Sequence, residues 1–224
     1  MSTPVAFNVA PSSCFELSLV AAQYRGAAIY QSFVTLNREI SLLHPDVLAL
    51  LYHFGAHSIS PILELGPFMG GSTIAIARGC VDSGKGLKVV TVECGGIFEH
   101  PTHASGDIVA SLRSNLEKHG LTAQTELIVG NSREAATVEQ VSKFAATKPF
   151  GCLVIDSDGK VKSDIQLYRS MLSPHAYLIV DDYYAPGNPE KEATTRGDID
   201  ELVQQGAIDP FGVHGWGTWF GRFL

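Results

Sequence analysis

Residues 64–73 read Glu64-Leu65-Gly66-Pro67-Phe68-Met69-Gly70-Gly71-Ser72-Thr73, a glycine-rich stretch that joins a short apolar run to a helical pattern. Glycine permits a tight turn and a close approach of the backbone to a ligand, and the N-terminus of the helix that follows favours an anion. The glycine spacing matches neither the GxGxxG dinucleotide fingerprint nor the GxxxxGK[ST] phosphate loop. The stretch alone therefore indicates a strand-to-helix turn, which is either purely structural or part of a site for another ligand.

Short apolar runs without polar alternation recur along the chain, which is typical of strands buried on both faces of a parallel sheet. They are Pro61–Leu65, Leu87–Val92, Glu126–Val129, Cys152–Ile155 and Tyr177–Val180. Helical patterns separate these runs, and the alternation predicts an α/β doubly wound fold. Such sheets bind ligands at the carboxyl ends of their strands, so we expect the functional residues there.

The helical patterns have recognisable starts and ends. The apolar spacing within 108–116 predicts one helix, and the spacing within 161–172 predicts another. An N-terminal helical region over Phe15–Phe54 precedes the first strand, with Pro45 in the first turn of its last helix. The aromatic segment Trp216–Phe223 predicts a terminal hairpin strand.

The composition is that of a folded protein. The chain has 224 residues, of which 45% are hydrophobic, and single domains often exceed this length. We expect one domain over residues 1–224, with a helical cap region at 1–58 and a cofactor-binding core at 59–224. Sixteen basic and 23 acidic residues give a formal net charge of −7, which argues against nucleic acid as a partner.

Neither a secretion signal nor a membrane anchor is predicted. Residues Met1–Phe15 lack a basic region followed by an apolar one, and the apolar stretch Val47–Tyr52 is far shorter than the roughly 20 residues that cross a bilayer. The four cysteines are spread singly, which favours neither a zinc site nor a disulfide framework. We therefore expect a cytoplasmic protein without a membrane partner, whose opening segment Met1–Ser13 is mobile.

Polar residues suited to a nucleoside end the second and third predicted strands. Glu93 lies 27 residues after Gly66, near the roughly 20-residue offset at which an acid binds ribose hydroxyls in such folds. The third strand ends in Gly130-Asn131-Ser132-Arg133, which is suited to an adenine edge or is an ordinary turn. An acidic residue at the end of a strand is often only exposed to solvent. The prediction of a ribose site therefore depends on Glu93 together with the glycine turn.

Four carboxylates follow the fourth and fifth predicted strands. Asp156 and Asp158 follow one strand, and Asp181 and Asp182 follow the other. Like charges that converge are costly unless a cation or a proton offsets them. Oxygen ligands suit Mg²⁺, with Mn²⁺ or Ca²⁺ as rivals. The alternative is a helix N-cap at Asp158 together with exposed loop acids.

The motifs together resemble those of class I S-adenosylmethionine-dependent methyltransferases. Glu64-Leu65-Gly66-x-x-x-Gly70-x-Ser72 is similar to motif I of that family in its catechol O-methyltransferase-like branch, and the resemblance covers roughly Leu43–Tyr184. It implies a Rossmann-like doubly wound sheet of seven strands in the order 3-2-1-4-5-7-6, with the last strand antiparallel and helices at the N-terminus. It also implies an enzyme that uses S-adenosyl-L-methionine to methylate a small-molecule acceptor.

The resemblance assigns roles to residues at matching positions. Cofactor binding would fall to Glu64, Gly66, Gly70, Gly71, Ser72, Glu93, Ser132 and Asp156. Within this set the glycine turn would hold the methionine part of the cofactor, Glu93 the ribose and Ser132 the adenine. Arg133 lies where the branch can place an adenine contact. Mg²⁺ or another divalent cation would be bound by Asp156, Asp181 and Asp182.

The chain departs from the catechol type within these motifs. Gly159 stands where that type has a lysine, and Asp181-Asp182-Tyr183 resembles instead the macrocin and novobiocin type of metal-dependent sugar O-methyltransferases. That type implies Asp158 as the general base, and Lys160 is a second candidate. Neighbouring hydroxyls occur on sugars and on catechols, so both acceptor classes stay open.

Further expectations concern the surroundings of the site. Four aromatic residues either wall the acceptor pocket or, as the favoured interpretation, pack in the core: Tyr183, Tyr184, Trp216 and Trp219. The N-terminal region Tyr24–Arg38 is where we expect a cover for the active site. Two alternatives stay open, a methyltransferase without metal that acts on nitrogen or a single hydroxyl, and a non-catalytic cofactor-binding protein. A homo-oligomer is compatible with the sequence.

Overall fold

The structure is a computed structural model that describes residues 13–224. The prediction for the opening segment therefore lies outside the described residues, except at Ser13. Within that range the helices are α1 (Cys14–Arg25), α2 (Tyr30–Glu39), α3 (Pro45–His57), α4 (Gly71–Asp82), α5 (Ile108–Lys118), α6 (Ala135–Ala145), α7 (Val161–Tyr168) and α8 (Pro189–Gln204). The strands are β1 (Ile62–Leu65), β2 (Val89–Glu93), β3 (Thr125–Val129), β4 (Phe150–Ile155), β5 (Leu172–Val180), β6 (Ile208–His214) and β7 (Thr218–Phe223). No helix in this part of the chain is long and apolar enough to cross a membrane.

The strands form one sheet in the order β3-β2-β1-β4-β5-β7-β6. Strands β1 to β5 are parallel, and β7 is antiparallel to both β5 and β6. The predicted doubly wound α/β sheet, its strand order and its antiparallel last strand are confirmed. Leu65 pairs with Val92 on one side and Ile155 on the other, and Ile155 pairs with Val180. Because these pairs are in register, the residues that follow the four strands meet at one edge of the sheet.

Local signals set the helix bounds that the sequence predicts. The Asp107 side chain accepts a hydrogen bond from the Ala110 N–H at 2.9 Å, so it caps the start of α5. Gly120 follows the end of α5 with a φ of +67°, a conformation that glycine adopts without steric cost. Pro45 lies in the first turn of α3, as predicted.

The apolar steps over 161–172 do not form one helix. Helix α7 ends at Tyr168, a 3-10 turn follows, and Leu172 already belongs to β5. Strand β5 thus begins well before the predicted run at Tyr177. The sequence pattern missed its first half because Pro174 and His175 are exposed there and interrupt the apolar pattern. Leu172 is in phase with the helix only by coincidence of spacing.

Helices cover both faces of the sheet. Helices α1 to α5 pack on one face, in a cluster that includes Ile62, and α6 to α8 pack on the other, in a cluster that includes Leu63. The alternation arises because neighbouring residues of a strand point to opposite faces. Strands buried on both sides need no polar face, which accounts for mainly apolar runs without polar alternation.

Two glycines allow α3 and α4 to pack in close contact. A Cβ at Gly79 would overlap the carbonyl oxygen of Tyr52, and one at Gly55 would overlap that of Ile76. We expect Gly79→Ala to lower the free energy of unfolding by about 2 kcal/mol, because backbone atoms must move apart to admit the methyl group. Urea unfolding followed by circular dichroism measures this change.

Gly197→Ala is the matched control for that variant. Gly197 also lies inside a helix, but a Cβ there would meet no atom within 4 Å. We expect this change to raise the free energy of unfolding by about 1 kcal/mol, because alanine is the better helix former. Equal effects of the two substitutions would contradict the close packing of α3 on α4.

Candidate active site

A cavity of about 940 Å³ opens at the carboxyl ends of the central strands. Its volume is in the range of small-molecule and cofactor sites. Most of the predicted site residues line it, namely Gly66, Gly71, Ser72, Glu93, Ser132, Asp156, Asp158, Asp181 and Asp182. Three other predicted site residues, Glu64, Gly70 and Lys160, do not line the cavity. The fold thus brings the motifs at the ends of five strands, β1 to β5, to one opening.

The glycine turn between β1 and α4 is shaped by its neighbours. Gly70 precedes α4 with a φ of +93°, and Gly66 has a φ of +82°. A Cβ at Gly66 would overlap the carbonyl oxygen of Asp156, so the turn lies against the end of β4. No side chain caps the start of α4 at Gly70, which leaves N–H groups of its first turn for a ligand.

Glu64 lies beneath that turn and is almost fully buried. Its Oε2 accepts hydrogen bonds from the hydroxyls of Thr73 at 2.6 Å and Thr91 at 2.9 Å. Its Oε1 is buried without a hydrogen-bond partner among the described residues. Burial raises the pKa of this carboxyl, against the effect of its hydroxyl partners. Glu64 thus supports the glycine turn from beneath and does not line the cavity.

Glu93 is the last residue of β2 and lines the cavity. Its Oε1 accepts from the Gly95 N–H at 2.8 Å, and its Oε2 accepts from the Phe68 N–H at 3.1 Å. Each carboxylate oxygen can accept a further hydrogen bond. The side chain is therefore held in one orientation and keeps capacity for a pair of hydroxyls.

The end of β3 is tied to α7 by a buried carboxylate that sequence reasoning missed. Asp164 is fully buried, and accepts from the hydroxyls of Ser132 at 3.2 Å and Ser157 at 2.9 Å. Its Oδ1 also lies 3.1 Å from the Arg133 guanidinium. Burial raises the pKa of Asp164, against these partners. The spacing of α7 gave no signal for this contact, because Asp164 shares its helix with ordinary apolar core residues.

The two sequence candidates for a general base lie at the rim. Asp158 forms an ion pair with Arg133, and its side chain is 47% exposed. Partial burial would raise the pKa of Asp158, but the hydrogen bond and charge of Arg133 prevail and lower it. The Lys160 ammonium lies 3.7 Å from the Asp158 carboxylate and is largely exposed.

Three carboxylates converge at the ends of β4 and β5. Asp156, Asp181 and Asp182 each place one oxygen within 4.8 Å of the other two. The Asp181 carboxylate also accepts from the Thr218 hydroxyl at 2.5 Å. Burial, together with the charges of Asp156 and Asp182, raises the pKa of Asp181 to about 7. We call these three residues the carboxylate cluster.

Lys191 contributes an ammonium to the carboxylate cluster. Its Nζ lies 3.3 Å from Oδ1 of Asp156 and forms an ion pair with Asp182. Lys191 lies in the first turn of α8, in a different element from the strands that the two acids follow, and no motif links it to them, so sequence reasoning missed it. Three carboxylates and one ammonium leave two negative charges when all four groups are ionised.

The raised pKa of Asp181 predicts a pH-dependent stability. The ordinary value is 3.8 and the folded value about 7, so the folded state holds a proton that the unfolded state releases between these values. Stability from this group is present below about pH 4 and is lost as the pH rises through about 7. We expect the Tm of the metal-free protein to fall between about pH 5 and about pH 8, and to fall less in Asp181→Asn.

Asp209→Asn is the control for the pH series. Asp209 is a half-buried acid of the terminal hairpin that pairs with Arg222 and lies outside the carboxylate cluster, and this variant should follow the wild type. Differential scanning fluorimetry in a chelator-treated buffer series measures both. An equal fall of Tm in Asp181→Asn and the wild type would contradict the assignment.

Of the four aromatic residues considered for the acceptor pocket, two line the cavity and two pack in or against the core. Tyr184 and Trp216 line the cavity, whereas Trp219 is buried in the core and Tyr183 packs against it. The N-terminal contribution comes from Ile40–His44, the loop after α2. Of the region expected to cover the site, Tyr24 and Phe33 pack instead in the core.

A family model described as a methyltransferase domain matches residues 63–183. The match spans more than half of the chain, from β1 to the loop after β5. The chain belongs to this methyltransferase family. The prediction of a methyltransferase enzyme and the resemblance to the class I S-adenosylmethionine-dependent methyltransferases are thereby confirmed. No curated protein matches this chain in sequence.

Solved structures with the fold of this methyltransferase include several O-methyltransferases. TomG from Streptomyces achromogenes, solved with SAM, is 19% identical with a TM-score of 0.62, over 98% of this chain and 92% of its own. An O-methyltransferase from Bacillus cereus, solved with SAH, is 20% identical with a TM-score of 0.57, over 98% and 94%. A TDP-rhamnose 3′-O-methyltransferase of calicheamicin biosynthesis is 16% identical with a TM-score of 0.57, over 79% and 77%. These neighbours confirm the fold.

Lys191 and the terminal hairpin lie beyond the matched region. The family match includes the glycine turn, Glu93, Ser132 and the carboxylate cluster. Lys191 and Thr218, which contact that cluster, follow it in the chain. Two residues that contact the carboxylate cluster therefore lie outside the region that the family model matches.

Proposed function

We propose that this methyltransferase transfers the methyl group of S-adenosyl-L-methionine to a hydroxyl of a small molecule that carries neighbouring hydroxyls. The acceptor is a sugar or a catechol-like compound, and a divalent cation, Mg²⁺ or a similar ion, assists. The observation that carries the proposal is the convergence of the carboxylate cluster beside the glycine turn, within one cavity. O-methyltransferases among the neighbours, one of which acts on a sugar nucleotide, support it.

The residues around the turn fit the cofactor. Glu93 lines the cavity and presents two fixed carboxylate oxygens beside the glycine turn. Glu93 would hold the ribose hydroxyls, and Ser132 would lie at the adenine. When bound, S-adenosyl-L-methionine supplies an activated methyl group on sulfur. The task of the chain is to place an acceptor oxygen in line with that group, since orientation supplies a large part of such rate enhancements.

The carboxylate cluster fits a divalent cation. Its oxygen ligands are those that Mg²⁺ prefers. Once Asp181 has lost its proton, the three carboxylates and the Lys191 ammonium together carry two negative charges, which one such ion would balance. Asp156, Asp181 and Asp182 would hold the ion. When bound, such an ion would make a nearby acceptor hydroxyl more acidic and would help to orient it. Asp156 also lies against the glycine turn, so this residue would couple the acceptor site to the cofactor site.

Removal of the proton from the acceptor stays assigned to Asp158, with Lys160 as the second candidate. The Asp158 carboxylate is occupied by Arg133, and a lowered pKa makes a weaker base. Asp158 therefore needs an acceptor hydroxyl that the site has already acidified, and Arg133 must release it when the acceptor binds.

A second candidate function is methyl transfer without metal. The observation that favours it is Lys191, whose ammonium already pairs with two of the three carboxylates. In that case the cluster would be structural, and the acceptor would be a nitrogen or a single hydroxyl.

Transfer of a radiolabelled methyl group to a panel of sugar nucleotides, catechols and amines tests the proposal. We expect turnover with an acceptor that carries neighbouring hydroxyls, loss of turnover in EDTA, and recovery with Mg²⁺. Turnover that EDTA leaves unchanged would contradict the metal step and support the second candidate. Binding of S-adenosyl-L-methionine without transfer to any acceptor of the panel would support a non-catalytic protein.

A further inference from the structure

Lys191 occupies an unusual place for a lysine. Its side chain is only 20% exposed and points from α8 to the ends of β4 and β5. It is the one basic side chain in residues 13–224 that pairs with the carboxylate cluster. We propose that Lys191 is a resident cation of this cluster, which holds Asp156 and Asp182 together and competes with a divalent cation for them. The inference rests on the proposed function, because it concerns the same three carboxylates.

The fold holds the start of α8 in place. The Asn188 side chain caps the helix by accepting a hydrogen bond from the Lys191 N–H at 3.2 Å. The Glu192 carboxylate accepts from the Ala185 N–H at 2.8 Å, which ties the preceding loop to the same turn. The backbone of Lys191 is thus fixed before its side chain makes any ion pair.

The stem of Lys191 passes over a position that has no side chain. A Cβ at Gly159 would lie 3.1 Å from Cγ of Lys191 and 3.1 Å from Oγ1 of Thr195. Gly159 has a φ of +85°, which also disfavours other residues. The loop after β4 therefore leaves space for the stem and directs the ammonium to Asp156. A surface lysine without such a space for its stem would keep its ammonium group in water.

A divalent ion on the cluster would meet the ammonium at short range. Mg²⁺ or Mn²⁺ binds carboxylate oxygens at roughly 2.1 Å, and Nζ of Lys191 contacts oxygens of the same two carboxylates, Asp156 and Asp182. Two cations this close repel each other strongly in a partly buried site. The ion must therefore displace Lys191 from at least one carboxylate, or bind more weakly than it would without the lysine.

Asp181 differs from its two neighbours in this respect. It forms no ion pair with Lys191, and its partner is the Thr218 hydroxyl. This residue therefore offers an incoming ion a carboxylate that no cation occupies. Competition for Asp156 and Asp182 lowers the affinity for the ion without closing the site.

Titration calorimetry of the full chain with Mn²⁺ tests the competition. Lys191→Met keeps an unbranched side chain and removes the charge, and we expect it to bind Mn²⁺ at least about tenfold more tightly than the wild type. Its metal-free Tm should fall, because Asp156 and Asp182 lose their counter-charge. Mn²⁺ should raise its Tm more than it raises that of the wild type. Lys162→Met is the matched control. Lys162 pairs with Glu201 on α8, away from the cluster, and its loss should leave Mn²⁺ affinity unchanged.

The outcomes separate this inference from the proposed function. Folded Lys191→Met that binds Mn²⁺ no more tightly than the wild type overturns the inference, whereas the proposed metal site stands. If Lys191→Met binds Mn²⁺ and the wild type does not, the inference is supported and the metal step proposed for the wild type is contradicted. Absence of binding in both proteins overturns both. If Lys191→Met shows no cooperative thermal transition, Lys191→Gln is compared in the same way.

Discussion

Replacement of Asp156 by asparagine is expected to lower kcat/KM for methyl transfer by at least about 100-fold. Asp156 follows β4, lies against the glycine turn, and belongs to the carboxylate cluster. Asparagine keeps the size of the side chain but removes its charge, so a divalent ion loses a ligand and Lys191 loses a partner. Initial rates at saturating S-adenosyl-L-methionine, with the acceptor found in the panel, measure the effect.

The control for this variant is Asp209→Asn. Asp209 is an acid of the terminal hairpin that pairs with Arg222, and its replacement should change kcat/KM by less than about twofold, as for surface substitutions in general. Circular dichroism establishes that both variants are folded. An Asp156→Asn enzyme with nearly wild-type kcat/KM would remove the cluster from the reaction.

Replacement of Glu93 by alanine is expected to weaken binding of S-adenosyl-L-methionine by at least about tenfold. Glu93 holds the backbone of Phe68 and Gly95 and would also hold the ribose hydroxyls. The variant therefore loses charged hydrogen bonds to the ligand as well as two contacts that shape the turn. Calorimetric titration with S-adenosylhomocysteine measures the change without an acceptor.

Glu126→Ala is the control for the Glu93 variant. Glu126 lies on β3 and pairs with Lys88 at 3.5 Å, and its loss should leave the affinity within about twofold. Unchanged affinity in Glu93→Ala would remove this residue from the cofactor site.

Much of the sheet could be predicted from the sequence because buried parallel strands carry their own signal. Each of β1 to β4 overlaps a short, mainly apolar run, and the strand order followed from the resemblance. The first half of β5 could not be found, since Pro174 and His175 are exposed there. Strand β6 lacks such a run, because Pro210 and Gly212 interrupt it at a register shift.

The site was predictable where it follows the ends of strands. Glu93, Asp156 and Asp181 each come directly after or at the end of a strand, so the topology alone brings them together. Lys191 was not predictable in this way, because its role depends on how α8 lies against the sheet. Pairwise contacts between distant elements leave no local pattern in the sequence.

The same limit applies to the acid proposed as the base. Asp158 was singled out by its place in a motif, whereas its ion pair with Arg133 depends on the loop after β3. The alternative interpretation of Asp158 as a helix N-cap is wrong, because the N-cap of α7 is Lys160 and no side chain caps that helix. The Asp158 carboxylate accepts from the Lys160 N–H at 3.4 Å, just before α7.

The most direct test of the account is a crystal structure of the protein with S-adenosylhomocysteine and Mn²⁺. We predict that the nucleoside lies along the glycine turn with its ribose on Glu93. We also predict an anomalous peak for Mn²⁺ between Asp156, Asp181 and Asp182. Nucleoside density elsewhere on the molecule, with the cavity at the strand ends empty, would contradict the account.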